Sequence, residues 1–246
     1  MAKASKSASS QPPRDAIVEA YMGLLADKPP REIGLAEIAE KAGLSLAALR
    51  GEFGSKFDIL AAFVKSVDTA VLEGIDADLA DQPTKEKLFD ILMRRLDVLG
   101  PHKAAIGNLA RAARRDAALA MGLNRLALRS HQWMLAAAGV ETSGRGGALR
   151  AQGMAVMFAR VLGVWLDDDD PALAKTMKAL DEGLARAGRA ARALHDVERL
   201  TAPFRSLFGA PKAFCSRRRS NDRDRSEPRP GSWRGDDFRD PNVTPV

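Results

Sequence analysis

Cysteine is almost missing from this chain. Cys215 stands alone, which excludes an internal disulfide and fits a reducing compartment. Histidine is nearly as scarce: His102, His131 and His195 are far apart, at none of the short spacings that hold a transition metal. The acidic run Asp167 to Asp170 has no histidine partner and no calcium-loop pattern. Its plainer role is to cap a helix opening at Pro171, with the acids near the positive end of the helix dipole, so no metal is expected. No Ser-His-Asp order, nucleophile elbow or strand-borne glycine loop occurs, so neither an enzyme nor a cofactor is expected. No apolar run of about 18 residues is evident, and the opening MAKASKSASSQPPR lacks the apolar segment of a secretory signal. Together these absences predict a soluble, cytoplasmic protein.

Net basic charge is also scarcer than it looks. The formal charge of the chain is +6, yet its ends carry it. Residues 1–14 hold Lys3, Lys6 and Arg14, and residues 201–246 hold ten Lys/Arg against six Asp/Glu. The segment 14–60 has six cations and eight acids. Neutralising phosphate dominates DNA affinity, so any basic footprint is expected from the ends of the chain. Both ends lack apolar periodicity and are rich in polar residues and proline, which predicts a disordered leader over 1–12 and a disordered basic tail over 201–246.

What is present is helical periodicity. Ile17, Ala20, Tyr21, Leu24 and Leu25 predict a helix over 13–27, ended by Lys28-Pro29-Pro30. Leu60, Val64, Val67, Val71 and Ile75 predict a long helix from Lys56. Leu88, Leu92, Leu96 and Leu99 predict another from Thr84, stopped by Gly100-Pro101. A shorter helix around 102–114 carries Ile106, Leu109 and Ala113, with Arg111, Arg114 and Arg115 on a solvated face. Leu119, Leu123, Leu126, Ser130, Trp133 and Ala137 mark a stripe over 116–138, and Gly139 to Gly147 reads as a loop. The last helices, 148–166 and 171–198, each show two apolar faces. Met154, Phe158, Val161 and Trp165 form one, and Ala151, Ala155, Ala159 and Gly163 another, where small residues admit a second helix closely. With Met177 and Leu184 on the following helix, that small-residue face is the predicted dimer interface. Trp133, Met134, Phe158 and Trp165 are the candidates to line an apolar pocket in this body, should it hold a ligand.

The stretch Leu35 to Leu60 organises the rest. Leu35, Ile38, Ala39 and Ala42 give a first short helix its apolar face, and Gly43 fits the left-handed residue that ends it. Ser45 can cap a second helix whose apolar face is Leu46, Leu49 and Phe53, and Ser55 with Asp58 fits a capping box. Two short helices about a glycine turn are the helix-turn-helix arrangement. On Glu37-Ile38-Ala39, Ala42-Gly43-Leu44-Ser45, Leu49, Phe53, Ser55-Lys56 and Leu60, the segment 14–60 resembles the DNA-binding domain of the tetracycline-repressor (TetR) family. The resemblance implies an all-α homodimer: a three-helix head over 13–60, then a helical regulatory and dimerisation bundle over 61–200. It implies a repressor that binds a pseudopalindromic operator in double-stranded DNA under control of a small apolar effector. Ser45, Leu46, Ala47 and Arg50 would face DNA, with Lys56 on the backbone. The chain departs from the family pattern at Gly34, in place of threonine, and at Arg50 and Glu52, in place of tyrosine and histidine. Arg50 can replace the tyrosine as a phosphate donor, whereas Glu52 would repel phosphate. A second resemblance stays open. Trp165-Leu166-Asp167-Asp168, Thr176-Met177 and Leu180-Asp181 are similar to the lipid-binding accessory proteins of ubiquinone biosynthesis, which implies the same fold, no DNA binding, and a lipid or membrane partner.

Overall fold

The computed structural model describes residues 12–208, apart from the side chains at 77, 80 and 193–208. Most of the leader and the tail beyond 208 lie outside the described residues, and so does the disorder expected of them. Every described element is helical. A first helix, α1 (Pro13–Asp27), starts at a proline, whose missing N–H is no loss in a first turn. It buries Ile17, Tyr21, Leu24 and Leu25 along one side. After a 3-10 turn at Pro30–Glu32 come α2 (Leu35–Lys41), α3 (Leu46–Glu52) and α4 (Lys56–Glu73). A second 3-10 turn, Ala77–Asp81, leads to α5 (Thr84–Leu99) and α6 (Lys103–Ala113). The chain continues through α7 (Ala117–Ala137), α8 (Gly144–Leu166) and α9 (Ala174–Phe208).

Packing follows the predicted stripes in most helices. Helix α1 lies on α6, α7 on α8, and α4 on both α5 and α7. Helix α4 is therefore a strut: Ile59 and Leu60 sit in the core beside the head, and Val67 and Val71 in the core of the body. Each fully buried Leu, Ile or Val contributes about 1.5–3 kcal/mol, which holds these short helices in place where their intrinsic propensity would not. Among the described residues, head and body share one continuous core.

Three expectations need correction. On α7 the buried positions are Leu126, Ser130, His131, Met134 and Leu135, continued by the cap residue Ala138, so Trp133 and Ala137 fall on the outside. Helix α8 starts at Gly144, four residues earlier than expected, because Gly147 closes onto Thr142: a Cβ there would lie 2.0 Å from the Thr142 carbonyl oxygen. Helix α9 starts at Ala174 instead of Pro171, after Leu173 takes a left-handed φ of 51°. Its first turn is held by Asp168, whose Oδ2 accepts from the Thr176 backbone N–H (3.0 Å) and hydroxyl (2.7 Å). The Thr176 hydroxyl is the main reason the Asp168 carboxyl titrates low. Asp170 bonds the nearby Ala172 and Ala174 amides (3.0 and 3.4 Å).

Helix α8 is also long and apolar enough to cross a membrane by length and composition, with a mean hydropathy of 1.2. In this fold a third of that apolar stretch is buried, with Ala151, Met154, Phe158, Val161 and Trp165 facing the protein's own core, while Leu149, Val156 and Val164 stay exposed.

Candidate functional site

The reading head is built from backbone accounting. At the end of α2 the Leu44 N–H reaches the Ala39 carbonyl (2.9 Å) and the Gly43 N–H the Glu40 carbonyl (3.0 Å), with Gly43 at φ 70°. This is the Schellman ending, and glycine alone takes that φ without strain. Ser45 then caps α3, its hydroxyl accepting from the Ala48 N–H at 3.1 Å. The Ser55 hydroxyl caps α4, accepting from the Asp58 N–H (3.2 Å) and donating to the Asp58 carboxylate (2.9 Å).

Leu49 and Phe53 alone anchor α3 in the core. Leu46, expected beside them, is 52 % exposed. It shares the open side of α3 with Ser45, Ala47 and Arg50. An exposed leucine beside Ala47 on a short helix is suited to contact thymine methyl groups in a major groove.

The charges around this face are arranged differently from the expectation. Glu52 is paired: the Arg14 Nη1 lies 3.6 Å from its carboxylate and donates to its backbone oxygen at 3.1 Å. The same guanidinium sits 4.3 Å from the centre of the Phe53 ring. Arg14 therefore caps the negative end of α3 and offsets the charge that would repel phosphate. Glu37 is likewise engaged by Lys28, whose hydrogen bond lowers its pKa. Lys56 donates inward, to the Pro30 (2.7 Å) and Ile33 (2.8 Å) carbonyls, so it braces the loop before α2 and leaves one N–H for any other partner. Arg50 reaches only the Phe53 carbonyl, at 3.4 Å, and is exposed. It is the most available cation on the α3 face.

Solved structures share this architecture. The TetR transcriptional regulator from Nitrosomonas europaea ATCC 19718 aligns over 72 % of this chain and 99 % of its own, at 21 % identity and a TM-score of 0.58. A TetR transcriptional regulator from Rhodococcus sp. RHA1 aligns over 71 % and 95 %, at 17 % identity and a TM-score of 0.50. The chain has the TetR fold. No family model matches the sequence, and no curated protein does either.

Within this TetR fold the predicted pocket residues are not brought together. Met134 and Phe158 are buried in the body, but Trp133 is 59 % exposed. Trp165 instead walls a groove of about 470 Å³ with Leu96, Asp97, Lys103 and Asp169. Lys103 donates to the Asp168 carbonyl (2.8 Å) and lies 5.4 Å from the Trp165 ring centre. That groove is acidic and open, a poor match to an apolar effector.

The predicted interface residues divide as well. Ala151, Ala155 and Leu184 face the chain's own core, where the small side chains let α8 approach its neighbours. Ala159 and Met177 are exposed and Gly163 is half-buried. The outward apolar row on α8 is Leu149, Gly153, Val156 and Val164, offset from the predicted one.

Sequence reading missed one cluster altogether. Asp68 on α4, Arg95 on α5 and Ser130 on α7 meet in the core: Arg95 Nη1 and the Ser130 hydroxyl (2.7 Å) both donate to Asp68 Oδ1. His131 lies beside them. Its Nδ1 sits 2.9 Å from the Ala127 carbonyl, and burial, with the Arg95 charge, pushes its pKa down to about 3. These residues are 27 and 62 positions apart in the pairs that bond, so no local spacing could announce them.

Proposed function

We propose that the protein is a DNA-binding transcriptional regulator, a repressor, with no catalytic step and no cofactor of its own. The observation that carries this reading is the open face of α3, where Ser45, Leu46, Ala47 and Arg50 stand clear of the core behind a properly ended α2. A homodimer would set two such faces about one DNA turn apart, on a pseudopalindromic site. The exposed row Leu149, Gly153, Val156 and Val164 on α8, with Met177 on α9, supports a second copy as its cover. Exposed apolar surface of this kind marks an interaction site. A small, mainly apolar ligand in the body would alter the separation of the heads through α4, the helix shared by both.

Selection from a random duplex library with the purified full-length protein tests the reading. Enrichment of an inverted repeat supports it, and recovery of unrelated sequences under low salt removes it.

A further inference from the structure

Two buried polar atoms in the body find no partner among the described residues: Arg95 Nε and His131 Nε2. Arg95 is 6 % exposed and His131 2 %. A buried polar group without a hydrogen bond costs about 1–3 kcal/mol, so two in one cluster need a reason. Their hydrogen-bonding characters are opposite. The guanidinium Nε carries a hydrogen and can only donate. His131 Nδ1 faces a carbonyl, which only accepts, so the ring hydrogen is on Nδ1 and Nε2 presents a lone pair. Both side chains flank one aromatic ring: the His131 ring stands edge-on to Phe158 at 5.1 Å, and the Arg95 guanidinium carbon is 5.8 Å from the Phe158 centre.

We propose that Arg95 Nε and His131 Nε2, beside Phe158, are the polar anchor of the effector site, and that they take an uncharged apolar molecule bearing a hydroxyl, an alcohol or a phenol. This rests on the ligand-controlled reading above and names the chemistry of that ligand. A ligand hydroxyl carries both complements, an acceptor for Arg95 and a donor for His131. A carbonyl serves Arg95 alone. A carboxylate would also press its lone pairs against that of His131, and the Arg95 charge is already balanced by Asp68. The anchor is placed to act at a distance. Through Asp68 it reaches α4, and through His131 it reaches α7, so a bound hydroxyl ties the strut of the head to the body.

The test uses the full-length protein with matched probes: para-cresol against toluene, and cyclohexanol against cyclohexane. Nitrogen NMR of the histidine rings reports His131 Nε2 directly, and thermal unfolding reports binding. The hydroxylated probes should shift the His131 Nε2 resonance and bind at least about tenfold more tightly than their hydrocarbons, the effect of one good buried hydrogen bond. In His131→Phe that preference should shrink, since only Arg95 Nε is left to bond the hydroxyl. Equal responses to alcohol and hydrocarbon, or a His131 resonance that none of the probes moves, overturns the proposal; a trapped water between the two atoms gives that result. The wild-type NMR arm decides the matter even if His131→Phe does not fold. No DNA enters this measurement. A protein that selects an operator yet shows no hydroxyl preference loses the anchor alone. One that ignores every duplex yet shows the preference keeps the anchor and loses the regulator reading.

Discussion

At the residue scale, four side chains do work that their positions in the sequence do not advertise. Lys56 matches a phosphate-binding lysine in the resemblance, but its ammonium holds the Pro30 and Ile33 carbonyls. Replacing it with Met should lower stability by about 2 kcal/mol, the scale of a lost charge-assisted bond with acceptors left behind, as read by urea unfolding. An unchanged midpoint would return Lys56 to the DNA. Asp68 and Arg95 form a buried pair, and breaking it with Arg95→Met should cost about 3–5 kcal/mol, because one charge stays buried alone. His131 gives the fold a pH dependence. It is neutral in the folded protein down to about 3, whereas in the unfolded chain it protonates near its ordinary 6.5. Below that value the unfolded state binds a proton that the folded state refuses. Stability is therefore complete above 6.5 and falls as pH drops toward 3, by up to about 1.4 kcal/mol per unit. Between pH 6.5 and about 4 the urea midpoint of wild type should fall relative to that of His131→Phe, which has no such group to titrate; parallel pH profiles would show that His131 does not carry the effect.

At the element scale, α1 and α6 join head to body. Asn108 of α6 donates to the Leu25 (2.8 Å) and Ala26 (2.9 Å) carbonyls at the end of α1, which no helical N–H would otherwise reach. Asn108→Ala should speed hydrogen exchange in α1 to α3 relative to α7 and α8, and equal protection in both would deny the latch. The helices themselves were legible in the sequence, because stripes such as Leu88, Leu92, Leu96 and Leu99 put period and burial on the same residues. Direction along a stripe was less so. On α7, apolarity pointed to Trp133, but steps of four from Leu126 turn the core line to Met134 and leave the tryptophan outside. On α8, alanine at every fourth position is equally suited to a partner chain and to a neighbouring helix. Only tertiary packing shows that Ala151 and Ala155 meet the latter. The Gly43 turn was readable because one backbone conformation demanded one residue type. The Asp68–Arg95–Ser130 cluster was not, since its bonds join three helices.

At the scale of the whole molecule, the question is what covers the outer side of α8 and what α3 touches. If a second copy covers α8, Val156→Glu with Leu149→Glu should give a monomer by light scattering without loss of helix content. Ala155→Glu should instead unfold the chain, because that alanine is buried. A dimer that survives the outer-face pair places the interface elsewhere. Charge sets the terms for α3. The head carries more acids than cations, but Arg14 and Lys28 engage Glu52 and Glu37, so Arg50 meets less repulsion than a count suggests. The decisive measurement is equilibrium binding by fluorescence anisotropy, over a salt series, of wild type and Arg50→Ala to an enriched duplex and a shuffled one. Wild type should prefer the enriched duplex. Arg50→Ala should weaken binding to both duplexes by about 2 kcal/mol and flatten the salt dependence, as expected for a lost phosphate contact. Equal binding of both duplexes by wild type, with Arg50→Ala indistinguishable from it at low salt, would contradict DNA reading by α3.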